Sequence, residues 1–128
     1  MNFFENELKK ICGSCDTLSD KRYVGRACIG RIDENITAKI EFATLGVADQ
    51  YTALKASVIN RNEGKIDSVT IRLKEVMSAS NPYIWDDYGK TGWYGYKPTA
   101  ADYKSLSESV DSYLEAFAPV EEMGMKMY

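Results

Sequence analysis

Cys12-Gly13-Ser14-Cys15 is the first stretch whose residue types and spacing could do chemistry, as a dithiol redox pair or as half of a zinc site. A redox pair wants its first thiol at a helix N-terminus, where the helix dipole favours the thiolate. Here the pair falls at the C-terminal end of a helical pattern. Zinc wants four ligands, and Cys28 with no histidine leaves the set short unless a carboxylate or a second subunit completes it. Three cysteines are also too few, and odd in number, for a disulfide framework. Reduced packing thiols are the reading, and no metal or cofactor is expected.

Histidine is absent, which removes Ser-His and Cys-His nucleophiles, histidine metal sites and histidine pH switches. Gly89-Lys90-Thr91 has the ending of a phosphate loop, but Ile84 stands where the first glycine is required, and Gly92-Trp93-Tyr94-Gly95 follows in place of a helix. Asp86-Asp87 is a carboxylate pair on an extended segment, where neighbouring side chains point to opposite sides. No catalytic set emerges from these residues.

Six aromatics then crowd positions 83 to 96: Tyr83, Trp85, Tyr88, Trp93, Tyr94 and Tyr96, among Gly89, Gly92, Gly95, Lys90 and Lys97. Trp and Tyr combine a large apolar body with a polar tip. The cluster reads either as a lid over the seam between sheet and helix or as a recognition surface built on Trp85, Tyr88, Lys90, Trp93, Tyr94 and Tyr96. A second candidate surface is basic: Lys39, Lys55, Arg72 and Lys74, joined by Arg26.

Regular elements must position these groups. Asn2 and Glu5 form a capping-box pair that opens a helix with Phe4, Leu8 and Ile11 on one face and Gly13 as its stop. Four strands are expected. The first covers about 22 to 32, with its facing ambiguous between Tyr23, Ala27, Ile29 and Val24, Cys28, Ile32. The second turns Ile36, Ala38, Ile40 and Phe42 inward; the third does so with Leu54, Ala56 and Val58, and the fourth with Val69, Ile71 and Leu73. Asp33-Glu34-Asn35 and Asn60-Arg61-Asn62-Glu63-Gly64 are turns. Thr99 and Asp102 open a second helix that carries Tyr103, Leu106, Val110, Tyr113, Leu114 and Phe117 until Pro119 stops it. The expected fold is α+β: a four-stranded antiparallel meander flanked by N-terminal and C-terminal helices (α-β-β-β-β-α), both on one sheet face. It forms a single domain over 1–118, with 119–128 as a flexible tail.

A chain of 128 residues, 45% hydrophobic and 27% charged, is one globular domain of ordinary composition. Its net charge of -3 argues against a general phosphate binder. No apolar run reaches the roughly 20 residues that span a bilayer, and the acidic start is unlike a signal peptide, so a cytoplasmic location is expected.

The motifs Ile84-Trp85, Gly89-Lys90-Thr91, Trp93-Tyr94, Tyr96, Pro98-Thr99 and Asp102-Tyr103 resemble a family of small uncharacterised proteins. These are encoded on conjugative transposons and other mobile elements of Gram-positive gut bacteria. The opening Asn2-Phe3-Phe4-Glu5-Asn6-Glu7-Leu8 is similar too, as are Val24-Gly25-Arg26-Ala27-Cys28, Ala48-Asp49-Gln50-Tyr51 and Asn60-Arg61-Asn62-Glu63-Gly64. The resemblance spans about residues 1 to 117 and implies a genomic setting rather than a chemistry. Together with the missing catalytic groups, it points to a non-enzymatic binding module with a protein partner from host or element. Two alternatives stand beside it. One is a small-molecule binder or enzyme with a pocket under the aromatic connection, lined by Trp85, Trp93 and Tyr94 with Arg26 or Arg61. The other is single-stranded nucleic-acid binding on the basic sheet face, and a homodimer through that face is a further expectation.

Overall fold

A computed structural model describes residues 2–118. Helix α1 (Phe3–Cys12) starts at Asn2, whose side chain accepts from the Glu5 amide at 2.8 Å while the Glu5 carboxylate accepts from the Asn2 amide. Strands β1 (Ser19–Val24), β2 (Ala27–Asp33), β3 (Ile36–Thr44), β4 (Gln50–Asn60) and β5 (Lys65–Arg72) follow. Then come the short helix α2 (Leu73–Val76), strands β6 (Ile84–Asp87) and β7 (Lys90–Trp93), and helix α3 (Ala100–Glu115). All seven strands join one antiparallel sheet in the order β1-β2-β3-β4-β6-β7. β5 also pairs with β4, along residues 53–60, while β6 takes the first two residues of the same β4 edge.

The four-stranded meander is therefore corrected to seven strands with three helices. Two hairpins account for most of the difference. The segment expected as one strand over 22–32 is two, joined by the two-residue turn Gly25-Arg26 with Gly25 at φ 61°. Its facing looked ambiguous because the alternation resets at that turn. The aromatic connection likewise folds into β6 and β7 around Tyr88 and Gly89, whose φ values of 47° and 80° are those of a type I′ turn. Leu73 remains buried as expected but opens α2 instead of closing a strand. Gly13 does end α1, in right-handed rather than left-handed geometry; an added Cβ there would meet the Lys9 carbonyl oxygen at 2.4 Å.

The central pairing follows the sequence pattern. Cys28, Ile40 and Ala56 lie in one inward row, and Phe42, Leu54 and Ile71 in another. They share a single core with Phe4, Leu8 and Ile11 of α1 and with Leu106, Val110 and Leu114 of α3. Fully burying such side chains contributes about 1.5–3 kcal/mol each before the entropy of ordering the chain is charged against it. The opposite face carries the polar Lys39, Ser57, Lys55 and Thr70, with Ile29, Ile59 and Ile66 among them. Helix α3 ends at Glu115, and the expected stop at Pro119 and the tail 119–128 lie outside the described residues.

Candidate functional site

Strand alternation sorts the aromatic cluster into two sets. Ile84 pairs with Trp93 and Tyr51, so these three point toward the helices, and Trp93 packs against the core. Trp85 pairs with Gly92 on the other face, and Tyr94 lies edge-on to the Trp85 ring at 6.2 Å. Buried Tyr83 stacks on Tyr94 at 5.0 Å and supports it from below. Trp85 is 37% exposed, Tyr94 56% and Tyr88, at the hairpin tip, 97%.

The inward set is held by two buried carboxylates. Glu7, 3% exposed, accepts from Trp93 Nε1 at 2.8 Å and from the Tyr103 hydroxyl, and its other oxygen takes Lys10 Nζ at 3.2 Å. One side chain thus ties α1 to β7 and α3. Burial and the bond to Glu7 push the Tyr103 phenol well above its usual range. Asp102 accepts from the Ser78 amide at 3.0 Å, the Thr99 amide at 3.0 Å and the Tyr96 hydroxyl. Burial alone would raise its carboxyl; the bonds from Ser78, Tyr96 and Thr99 outweigh that and hold it below the usual value. Among the described residues no buried side-chain polar atom lacks a partner.

Of the sequence-derived binding residues, Trp85, Tyr88 and Tyr94 thus share the exposed side of the hairpin. Trp93 and Tyr96 serve as anchors behind it, and Lys90 is exposed beside the turn. Asp86 accepts from the Thr91 hydroxyl at 2.7 Å across the hairpin, and Asp87 faces the other way. The basic residues are spread more widely. Lys39, Lys55 and Arg72 share the outward sheet face, with Lys39 paired to Glu41 at 3.0 Å and Arg72 to Glu75 at 3.7 Å. Arg26 sits in the β1–β2 turn over the Tyr51 ring at 5.3 Å, and Lys74 belongs to α2. Arg61 lines a cleft with Arg22 and Arg31.

All three cysteines are buried and meet in the core. Cys12 is pushed well above the usual thiol range by its hydrogen bonds to Cys15 and Cys28 and by burial. The bond from Cys12, with a smaller one from Ser107, brings Cys15 to about 7 against the opposing effect of burial. Among the described residues, no three His, Cys, Asp or Glu side chains are arranged to hold a metal ion. No described helix is long and apolar enough to cross a membrane.

Comparison with protein-family models, curated proteins and solved structures finds no match to this chain.

Glu7 escaped the sequence reading, although a signal for it was present: it lies three residues after Phe4, on the buried stripe with Leu8 and Ile11. Its partners, 86 and 96 residues away, carry no local signal.

Proposed function

We propose that this chain is a non-enzymatic binding module that takes a protein partner on the exposed side of the β6–β7 hairpin. Tyr88 carries the reading. It is 97% exposed, and its φ of 47° puts a bulky residue in the left-handed region. For residues other than Gly, Asn or Asp that conformation costs about 1–2 kcal/mol, and so exposed a ring recovers almost none of it by burial. A ring held at a hairpin tip against its own stability is what an interface anchor requires. Trp85 and Tyr94 extend the surface from Tyr88 along the hairpin, and Trp93, fixed to Glu7, keeps the platform rigid behind them. Preorganisation of that kind lowers the entropic cost of binding. The resemblance to mobile-element proteins supports a cytoplasmic setting and a partner from host or element.

The test is affinity capture with the wild-type chain, Tyr88→Ala and Trp85→Ala/Tyr88→Ala, each shown by circular dichroism to be folded. Tyr88→Ala is expected to leave stability within about 0.5 kcal/mol, as surface changes do, and to weaken the partner at least about tenfold. A partner retained at full affinity by the double variant would refute the reading.

A further inference from the structure

A cleft of about 450 Å³ opens at the far end of the same sheet, lined by Asp20, Arg22, Ile29, Arg31, Thr37 and Arg61. Strands β1, β2 and β3 and the β4–β5 connection build it. Arg22 and Ile29 are cross-strand partners on the outward face, and Arg31 partners Thr37 one step along. Arg61 is carried in by the β4–β5 connection, whose position is fixed where the Arg61 amide donates to the Asn35 carbonyl at 2.8 Å. We propose that this cleft binds a small ligand through a phosphate group.

Charge and shape support that ligand class. Arg31 is already occupied: its Nε donates to Asp20 Oδ2 at 3.0 Å, with Nη2 on the same oxygen. Arg22 and Arg61 enter no ion pair among the described residues. Lys21 turns its ammonium away, onto the Gly13 carbonyl at 2.9 Å. Three guanidinium groups against one carboxylate leave the cleft two net positive charges. A phosphate monoester carries about -1.5 to -2 at neutral pH, whereas a carboxylate carries one charge. Guanidinium forks match phosphate oxygens in pairs, and the Thr37 side chain adds a hydroxyl. The volume falls in the range of about 300–1,000 Å³ typical of small-ligand sites.

The backbone at the rim is specialised in the same direction. β1 carries a register shift between Ser19 and Arg22, and Asp20 inside it has φ 52°. Bulges re-aim side chains at sheet edges. This one sets Arg22 on the cleft face while leaving Asp20 in reach of Arg31.

Titration of the ¹⁵N-labelled chain with pyrophosphate, and separately with a ten-residue oligothymidylate, tests the site. Saturable shifts at the Ile29, Gly30 and Thr37 amides are expected with pyrophosphate. Arg22→Ala/Arg61→Ala, both exposed positions, should weaken the affinity at least about tenfold, the scale of one lost charge-assisted bond. Lys55→Ala, on the same face but outside the cleft, should change it less than about twofold. No saturation by about 10 mM pyrophosphate, beyond the millimolar end of specific affinity, would overturn the proposal, as would binding that the double variant leaves intact. Binding of the oligonucleotide alone would overturn it too, by assigning the arginines to a nucleic-acid backbone.

Discussion

Glu7→Ala is the perturbation that most directly tests how the hairpin is held. The substitution removes the acceptor for Trp93 Nε1 at 2.8 Å and for the Tyr103 hydroxyl. A hydrogen bond to a charged group contributes about 1.5–3 kcal/mol, so two of them set a loss of roughly 3–6 kcal/mol. The Lys10 ammonium is half exposed, and its pair with Glu7 adds under about 1 kcal/mol. Taking about 3–6 kcal/mol for the two buried bonds, and an unfolding entropy near 0.27 kcal/mol/K from about 2.1 cal/mol/K per residue, Tm should fall by roughly 11–22 °C. That is a large part of the 5–15 kcal/mol of a typical domain. Urea unfolding followed by Trp fluorescence and by far-ultraviolet circular dichroism gives the number. A double-mutant cycle with Trp93→Phe, which removes the N–H together with the five-membered part of the indole, subtracts the lost packing and should show a coupling of at least about 1 kcal/mol. A total loss below about 1 kcal/mol, or coupling within about 0.3 kcal/mol of zero, would refute the assignment of Glu7 as the clamp.

Other outcomes follow from single features. Tyr88→Asn converts the hairpin tip to Asn-Gly, the preferred type I′ pair, and should raise stability by about 0.5–1 kcal/mol while weakening partner capture; a loss of stability on denaturation would contradict the strain at Tyr88. Asp102 has a lower pKa folded than unfolded, so the unfolded chain binds more protons between the two values. Its stabilisation is therefore complete above about pH 4 and is lost as pH falls through the folded value. Melting of wild type and Asp102→Asn from pH 6 to pH 2.5 should show a gap that is constant above about pH 4 and closes below it, and a gap that widens toward acid would reverse the sign. The thiols are sealed in the core, so iodoacetamide at pH 7.5 should label Cys12, Cys15 and Cys28 only as fast as the fold opens, with denaturant accelerating all three together; rapid labelling of Cys12 in the native state would contradict its burial.

The parts of the fold legible in sequence are those where one face is buried along a whole element. Ile36, Ala38, Ile40 and Phe42 alternate without interruption, and β3 pairs in that register. The starts of α1 and α3 declare themselves because capping is local: Asn2 with Glu5, and Thr99 with Asp102, are three residues apart. The missed elements lack such signals. β1 is an edge strand with no fully buried residue, so the apolar alternation that marks a strand is missing there. β6 and β7 are four residues each, and their turn uses Tyr88 where Asn or Asp would have announced a hairpin. Once the hairpin is known, alternation sorts Trp93 inward and Trp85 and Tyr94 outward. Before that, the six rings could only be read as one cluster.

Positive backbone φ values mark both surfaces. Among the described residues three that are not glycine have positive φ: Asp20, Asp49 and Tyr88. Asp49 has a structural use, since its carbonyl accepts from the Asp86 amide at 3.0 Å and braces β6 against the β3–β4 loop. At Asp20 and Tyr88 the positive φ belongs to the β1 bulge and the type I′ turn, and their exposed side chains reach only Arg31 and solvent. Gly at position 88 would relieve the conformation at little structural cost. If strain at Tyr88 were incidental, Tyr88→Gly should stabilise the chain and leave partner binding unaltered. The two sites instead predict separable effects. Asp20→Gly frees the Arg31 fork and removes the cleft's one carboxylate, so it should tighten pyrophosphate binding while leaving the protein partner in place. Tyr88→Gly should weaken the partner and leave pyrophosphate binding in place, because the cleft and the hairpin stand on strands at opposite edges of the same sheet.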